Sequence, residues 1–513
     1  MATEYTQVDK TFLAELSRGG FAESLTPNQR RQIHIDTKLD EFLKAALEDG
    51  KQVILTGNPG DGKTQHILMS KDEYPEGDYY YLPDASEYAD YGELLKEWDE
   101  KYQNGTAGIL AINDGPLYEM VTTYSDEYEF LNVVQEQLEN QIIYDNDEVP
   151  EIDCSEIVVV DLNNRNVLTP SIVTKAIRKL ASEFATQGHN HTGHCHIEYN
   201  AKKLQDERIQ ENIVDFLTEL GNNDRHVTVR DLLNFLGYIL TAGIDECQTD
   251  FGDELKYYNL AFDGVGTVFD LARERFHSPQ LVHPFVDSRL WAEAEKEIKF
   301  SDREDANEVV DPLFNEKKRR FLFEDNLMDI GYESRSLYQD VEYKFINHRN
   351  GRSNEGSKEQ VLKMLNGYFL PSQSVRSKLQ LWLSHRYRSR SSLALVSRTS
   401  VPKRDFEILR PKLHPQIEDA IGYTPAHTAL EYSNSDKPVM LQITRALYRS
   451  LYTLDANIPY TLRSRDTEQQ ILEFMEEVEY HETYSEESGT ISVKDTENGR
   501  VETIDVSNEV YRR

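Results

Sequence analysis

Leu39, Phe42, Leu43, Ala46 and Leu47 recur at three- and four-residue intervals, the spacing of one helix face, and predict a helix that stops at Gly50. The continuous apolar run in Gln52-Val-Ile-Leu-Thr56 then reads as a short buried strand, and Gln65-His-Ile-Leu-Met69 opens a second helix. The alternation continues. Asp78-Tyr-Tyr-Tyr-Leu82 is a strand, the stretch holding Leu94, Leu95 and Trp98 a helix, and Gly108-Ile-Leu-Ala-Ile112 and Ile157-Val-Val-Val160 are further strands. Strands alternating with helices predict an α/β fold with a parallel sheet and a ligand at the strands' C-terminal ends. Past Leu168-Thr-Pro170, the face Val173, Ile177, Leu180 and Phe184 is helical, as is a module over 205–245 with Leu217, Leu220, Leu232, Leu233, Phe235, Leu236 and Ile239. From 251 the pattern is mixed, and Ser278-Pro279 and His283-Pro284 mark a boundary. Near the end, an acidic helix over 467–479 precedes Ile491-Ser-Val493 and Val501-Glu-Thr-Ile504, which flank Asn498-Gly499 as a hairpin would.

Between the first strand and its helix stands Gly57-Asn58-Pro59-Gly60-Asp61-Gly62-Lys63-Thr64, a full match to the phosphate-binding pattern G-x-x-x-x-G-K-[ST]. Glycines let the backbone curl around an anion so that successive N–H groups face it, at a helix N-terminus. In that reading Lys63 reaches the β- and γ-phosphates of ATP and the Thr64 hydroxyl holds Mg²⁺. Asp61 sets a carboxylate beside the expected phosphates, which weakens binding unless it points outward.

A nucleotide site of this kind needs an acid for Mg²⁺, and two strand ends offer one: Asn113-Asp114-Gly115-Pro116 and Asp161-Leu162-Asn163-Asn164-Arg165. Counting strands as in AAA-type ATPases makes Asp114 the metal acid and Asn163 or Asn164 the sensor of the γ-phosphate. The alternative count gives the metal to Asp161. Neither Asp is followed by the Glu that polarises an attacking water, so slow hydrolysis, or a base borrowed from elsewhere, is expected. Arg230, at the start of a helix in the segment Val227-Thr-Val-Arg230-Asp-Leu-Leu, sits where a helical lid offers an arginine to the γ-phosphate; the alternative is a surface pair with Asp231 or Glu219.

The run His189-Asn-His191-Thr-Gly-His194-Cys195-His196 holds four histidines and a cysteine in eight residues, the ligand inventory for Zn²⁺, although its spacing fits no standard zinc framework. The alternative is a solvated polar loop.

Composition narrows the setting. Against 91 Asp and Glu stand 56 Lys and Arg, a formal net charge of -35, and the acids are spread along most of the 513 residues. Such a surface suits a halophilic, high-salt cytoplasm in which screening removes self-repulsion. Three cysteines in this length argue against a disulfide framework and for a reducing compartment. No apolar run approaches the roughly 18 residues of a membrane span and the start Met-Ala-Thr-Glu-Tyr is unlike a signal segment, so a cytoplasmic protein with no membrane partner is expected. One stretch runs against the acidic trend: between Val375 and Lys412, ten Lys or Arg (Arg376, Lys378, Arg386, Arg388, Arg390, Arg398, Lys403, Arg404, Arg410, Lys412) meet only Asp405 and Glu407. With Trp382 and Tyr387 interleaved, this resembles a nucleic-acid groove; equally, the arginines can bridge acids of the same chain. The expected organisation is a helical lead-in (1–50), a P-loop NTPase, AAA-like core (51–187), a His-rich loop and helical lid (188–250), a linker and mixed α/β region (251–370), and a mixed α+β end with the basic segment and terminal hairpin (371–513).

Thr56-Gly-Asn-Pro-Gly-Asp-Gly-Lys-Thr64, Ala111-Ile-Asn-Asp-Gly-Pro-Leu117, Val160-Asp-Leu-Asn-Asn-Arg165 and Lys317-Lys-Arg-Arg320 together resemble the DptF family of DNA phosphorothioation-dependent restriction proteins. The resemblance spans most of the chain and implies a P-loop ATPase subunit of a defence system that attacks DNA lacking the phosphorothioate mark, with a HerA-like helicase among its partners. Two rivals stand beside it. A nucleotide-gated scaffold with little turnover fits the missing Glu, and a signalling regulator would need C-terminal helical repeats, for which the sequence shows no fixed period. A homo-oligomer is compatible with each.

Overall fold

The computed structural model describes residues 10–19, 27–74, 77–85, 88, 90–145, 148–181, 194–222, 225–276, 284–297, 306–324, 344–351, 356–369, 375–386, 393–397, 399–434, 439–453, 465–481, 490–495 and 501–505. They fall in two compact units. The first spans Met1–Ile143, Glu148–Ser336 and Leu413–Thr424; the second spans Tyr144–Asp147, Leu337–Lys412 and Pro425–Arg513.

The first unit is a mixed α/β body around a four-stranded sheet. Strands β1 (Gln52–Thr56), β2 (Tyr80–Leu82), β3 (Gly108–Ala111) and β5 (Ile157–Asp161) lie in the order β2-β3-β1-β5, every pair parallel; a short β4 (Ile142–Tyr144) lies outside this sheet. All five residues of β1 are buried, as expected of a parallel strand covered on both faces. Its side chains alternate between two cores. Val53 and Leu55 face Leu39, Leu43 and Leu47 of α3 (Lys38–Glu48) and Ile67 of α4 (Lys63–Glu73). Ile54 faces Leu94 and Trp98 of α5 (Tyr91–Gln103), Met120 of α6 (Asp114–Tyr124) and Phe130 of α7 (Phe130–Glu139). The outer edge of β5 is covered by side chains: Gln137 accepts from Val159 N at 2.8 Å and donates to Ile157 O at 2.8 Å, which satisfies edge groups that would otherwise lack partners.

A helical layer completes the unit. Helices α1 (Lys10–Leu16), α8 (Pro170–Lys179), α9 (His196–Leu204), α10 (Glu207–Leu220), α11 (Val229–Thr241), α12 (Tyr257–Asp263) and α13 (Thr267–Phe276) share one apolar cluster, in which Leu217, Leu232, Phe235 and Leu236 are almost fully buried. The helices expected over 205–245 are thus α10 and α11. Helix α2 (Pro27–Ile33) packs on α4.

The second unit is also mixed, but its strands are antiparallel. Leu383–Arg386, Leu393–Ser397, Thr490–Asp495 and Val501–Asp505 form one sheet, and Phe406–Leu409, His427–Tyr432 and Val439–Thr444 another. The hairpin expected around Asn498-Gly499 is the pair Thr490–Asp495 with Val501–Asp505. Among the described residues no helix is long and apolar enough to cross a membrane.

Candidate functional site

Thr56 ends β1 and Lys63 begins α4, so Gly57–Gly62 is the whole connection. Gly57, Gly60 and Gly62 all take positive φ (129°, 105° and 87°), which side chains strongly disfavour, and this explains three glycines in six positions. A Cβ on Gly60 would lie 3.1 Å from Thr228 Oγ1 and 3.2 Å from Arg230 Cβ, so this glycine also lets α11 approach. Arg230 itself enters through its backbone, its N–H donating to Gly60 O at 3.1 Å, while Thr228 and Asp231 cap α11.

Lys63 is buried and folds back over the loop, its Nζ donating to Gly57 O at 2.7 Å and Asn58 O at 3.0 Å. Burial pulls its pKa down against the opposing charges of Asp61, Asp114, Asp84 and Asp161. Thr64 Oγ1 donates to Pro83 O at 3.3 Å.

The register of the sheet gathers the other candidates. Because β1 lies between β3 and β5, the ends carrying Asp114 and Asp161 flank the loop from both sides, and Asn163 donates to both acids. Asp114 accepts from Thr56 Oγ1 at 2.6 Å and from Asn163 Nδ2; Asn163 Oδ1 accepts from Asn58 Nδ2 at 2.7 Å. Asp161 accepts from Asn163 N at 2.9 Å and Asn164 Nδ2 at 3.3 Å. Burial, helped by the charges of Asp114 and Asp61, pushes Asp161 up to about 6 despite the Asn163 N–H.

Asp61 does not point outward to solvent. It is fully buried, with Oδ2 accepting from Asn58 N at 2.7 Å and Oδ1 meeting His226 Nε2 at 2.6 Å. Burial alone would lower the pKa of His226, but the hydrogen bond and charge of Asp61 outweigh it and raise it. Close by lies Arg165, 3% exposed, whose Nη2 donates to Asp61 O and whose Nη1 reaches His66 Nε2 at 3.3 Å. Its backbone is fixed by a bridge to Tyr423.

Sequence reasoning missed Arg165 and the triad beyond it. Asp40 Oδ1 meets His66 Nδ1 at 2.8 Å and His34 Nε2 at 2.9 Å, and Oδ2 accepts from Thr37 N at 2.7 Å and Thr37 Oγ1 at 3.1 Å. Burial opposes ionisation of Asp40, yet the bonds from His34 and His66 hold its pKa far below the usual carboxylate range. His66 is pulled down, by burial first and then by Arg165 and His34 against Asp40. His34, Asp40 and His66 offer a donor set of the kind that holds metal ions. Two donors on a tetrahedral ion, each about 2.1 Å from it, stand about 3.4 Å apart. Here the imidazoles meet the carboxylate at hydrogen-bond length. An arginine N–H only donates, so its contact with His66 Nε2 assigns the ring proton to Nδ1, the atom a metal would need bare. The triad is a hydrogen-bonded brace. The only sequence signal for it was the Thr37-x-x-Asp40 capping pattern.

Of the expected zinc ligands, His189 and His191 lie outside the described residues. His194 is exposed and 3.4 Å from Glu198, whereas Cys195 is fully buried at the start of α9 with Cys247 beside it. In the basic segment, Trp382 is fully buried against Phe369, a core residue rather than a stacking platform. Lys403 pairs with Glu359, Arg404 with Asp405 at 3.4 Å and Arg410 with Asp145 at 3.6 Å, so these three bridge acids of their own unit. Arg376, Lys378 and Lys412 are exposed; the side chains of Arg386, Arg388, Arg390 and Arg398 lie outside the described residues. Lys317-Lys-Arg-Arg320 is on a helix, with Arg319 paired to Asp263 and Arg320 to Glu324.

Compared with known proteins, the chain matches no family model, and no curated protein or solved structure is significantly similar to it.

Proposed function

We propose that the first unit binds ATP with Mg²⁺ at the Gly57–Thr64 loop and hydrolyses it slowly, as a P-loop ATPase. The observation that carries this reading is the loop: three positive-φ glycines lead from a buried parallel strand into a helix whose first residues are Lys63 and Thr64. The residues fit the ligand. Added Cβ atoms would crowd the loop at Gly57 and Gly60, and the donors are the loop N–H groups and one lysine, with two carboxylates opposite. Lys63, once released from the Gly57 and Asn58 carbonyls, would face the β- and γ-phosphates; Thr64, Asp114 and Asp161 would hold Mg²⁺, directly or through water. Bound Mg²⁺ neutralises phosphate charge. Asn163, tied to both Asp114 and Asn58, would sense the γ-phosphate, and Arg230 on α11 would approach it from the helical layer.

The biological setting rests on the DptF resemblance: an ATPase subunit of a phosphorothioation-dependent restriction complex with a HerA-like helicase, contacting DNA weakly by itself. Lys403, Arg404 and Arg410 already face acids, which supports weak DNA binding before assembly. A nucleotide-gated scaffold is the second reading, favoured by the absence of a Glu after Asp114 or Asp161 and by the engagement of both Asp114 oxygens. Calorimetry of ATP·Mg²⁺ in molar salt tests the shared claim. The wild type binds and Lys63→Ala loses at least a hundredfold in affinity; equal affinity removes the nucleotide site. An ATPase assay of the co-purified complex, with and without DNA, separates the two readings.

A further inference from the structure

We propose that Arg165 is the positioning residue of the phosphate loop, one planar fork that holds the loop and the first turns of α4 as a single body. The inference rests on the nucleotide reading above and extends it to a residue with no place in the G-x-x-x-x-G-K-[ST] pattern. Its guanidinium is withdrawn from water, a costly placement unless something compensates. Buried arginines usually find a carboxylate, yet Arg165 forms no ion pair among the described residues. Both nearby acids are saturated by others: Asp61 by Asn58 N and His226, Asp40 by Thr37, His34 and His66. The charge is directed instead at one carbonyl of the loop, Asp61 O, and at His66, three residues along α4 from Lys63. Its Nε is buried without a partner, and Nη2 lies 4.0 Å from where a Cβ on Gly62 would stand.

Most buried arginines settle on a carboxylate; here both nearby acids are taken, so the fork is left to the loop and to α4. This one fixes the glycine turn that aims the N–H donors, and it leaves a positive charge beneath the place where phosphate charge would sit. Lysine keeps the charge but, as a single ammonium on a flexible stem, does not reproduce the fork.

The test uses the full chain with ATP·Mg²⁺ and calorimetry in molar salt, beside thermal melts of the ligand-free protein. Arg165→Lys is expected to bind about tenfold more weakly and Arg165→Ala about a hundredfold more weakly, with methylguanidinium restoring at least tenfold of the loss in the alanine variant. AMP, whose phosphate would not reach the β and γ positions, is expected to show a smaller loss than ATP. If the alanine variant does not fold, the lysine variant carries the test. Wild-type affinity in Arg165→Lys overturns the inference, as does an equal loss for AMP and ATP. A wild type that binds no nucleotide instead overturns the nucleotide reading itself.

Discussion

Two polar regions flank the Gly57–Thr64 loop, and they differ in how their charges are satisfied. On the inner side every carboxylate oxygen of Asp61 and Asp40 has a donor, and the pKa of Asp40 falls. On the outer side the oxygens of Asp114 and Asp161 also have donors, but only neutral ones, from Thr56, Asn163 and Asn164; Lys63 turns to backbone carbonyls, and burial first, then the charges of Asp114 and Asp61, push Asp161 up to about 6. A saturated network rigidifies what it touches. Buried carboxylates met only by neutral donors still favour a nearby cation, and under the proposed function that contrast makes the inner side architecture and the outer side the place for Mg²⁺.

Breaking the inner side should have the largest effect. Asp40→Asn removes the charged acceptor of the His34 and His66 hydrogen bonds and should destabilise the chain by about 3 kcal/mol in denaturant titration; a loss under 1 kcal/mol would show that the brace carries little. On the outer side, Asp114→Asn should lower ATPase activity about a hundredfold, roughly 3 kcal/mol of transition-state stabilisation, and far more than Asp161→Asn does. The reverse order would give the metal to Asp161. The same Asp161→Asn change should stabilise the ligand-free protein above pH 6. A carboxyl raised from 3.8 to about 6 costs stability that grows as pH climbs between those values, so the variant's gain, on the order of 1 kcal/mol after allowing for solvent access, should vanish near pH 4 in thermal melts.

The smallest expected effect is at His226. Its raised pKa contributes stability that is fully present below the ordinary histidine value near 6.5 and lost as pH rises through the folded value, so His226→Gln should cost more at pH 6 than at pH 9, by under about 1 kcal/mol. A pH-independent cost would mean that the ring acts only through packing.

The alternating pattern made the sheet strands legible, because β1 and β5 are short apolar runs and a buried parallel strand needs nothing else. The motif marked the loop because positive φ demands glycine. What stayed hidden was tertiary. No local signal says that Arg165 reaches Asp61 and His66, about a hundred residues earlier in the chain, or that His226 meets Asp61. Strand counting set Asp114 against Asp161 because a sequence shows order along the chain, whereas the sheet places β1 between their strands. Trp382 misled for a related reason: an aromatic among arginines looks like a stacking surface until its neighbours, Phe369 among them, are known.

The twelve residues Leu413–Thr424 belong to the first unit, where Ile417, Ala420 and Ile421 join the core beneath β1 and Tyr423 pairs with Arg165. During synthesis on the ribosome, the loop and both acids emerge long before this segment does. The first unit therefore waits, through translation of Leu337–Lys412, for the strip that pairs with the backbone of Arg165. A protein chain stalled or cleaved before residue 413 would carry the whole G-x-x-x-x-G-K-[ST] loop with the Arg165 backbone lacking its Tyr423 partner, so under the proposed function a truncated product would be a poorer competitor for nucleotide.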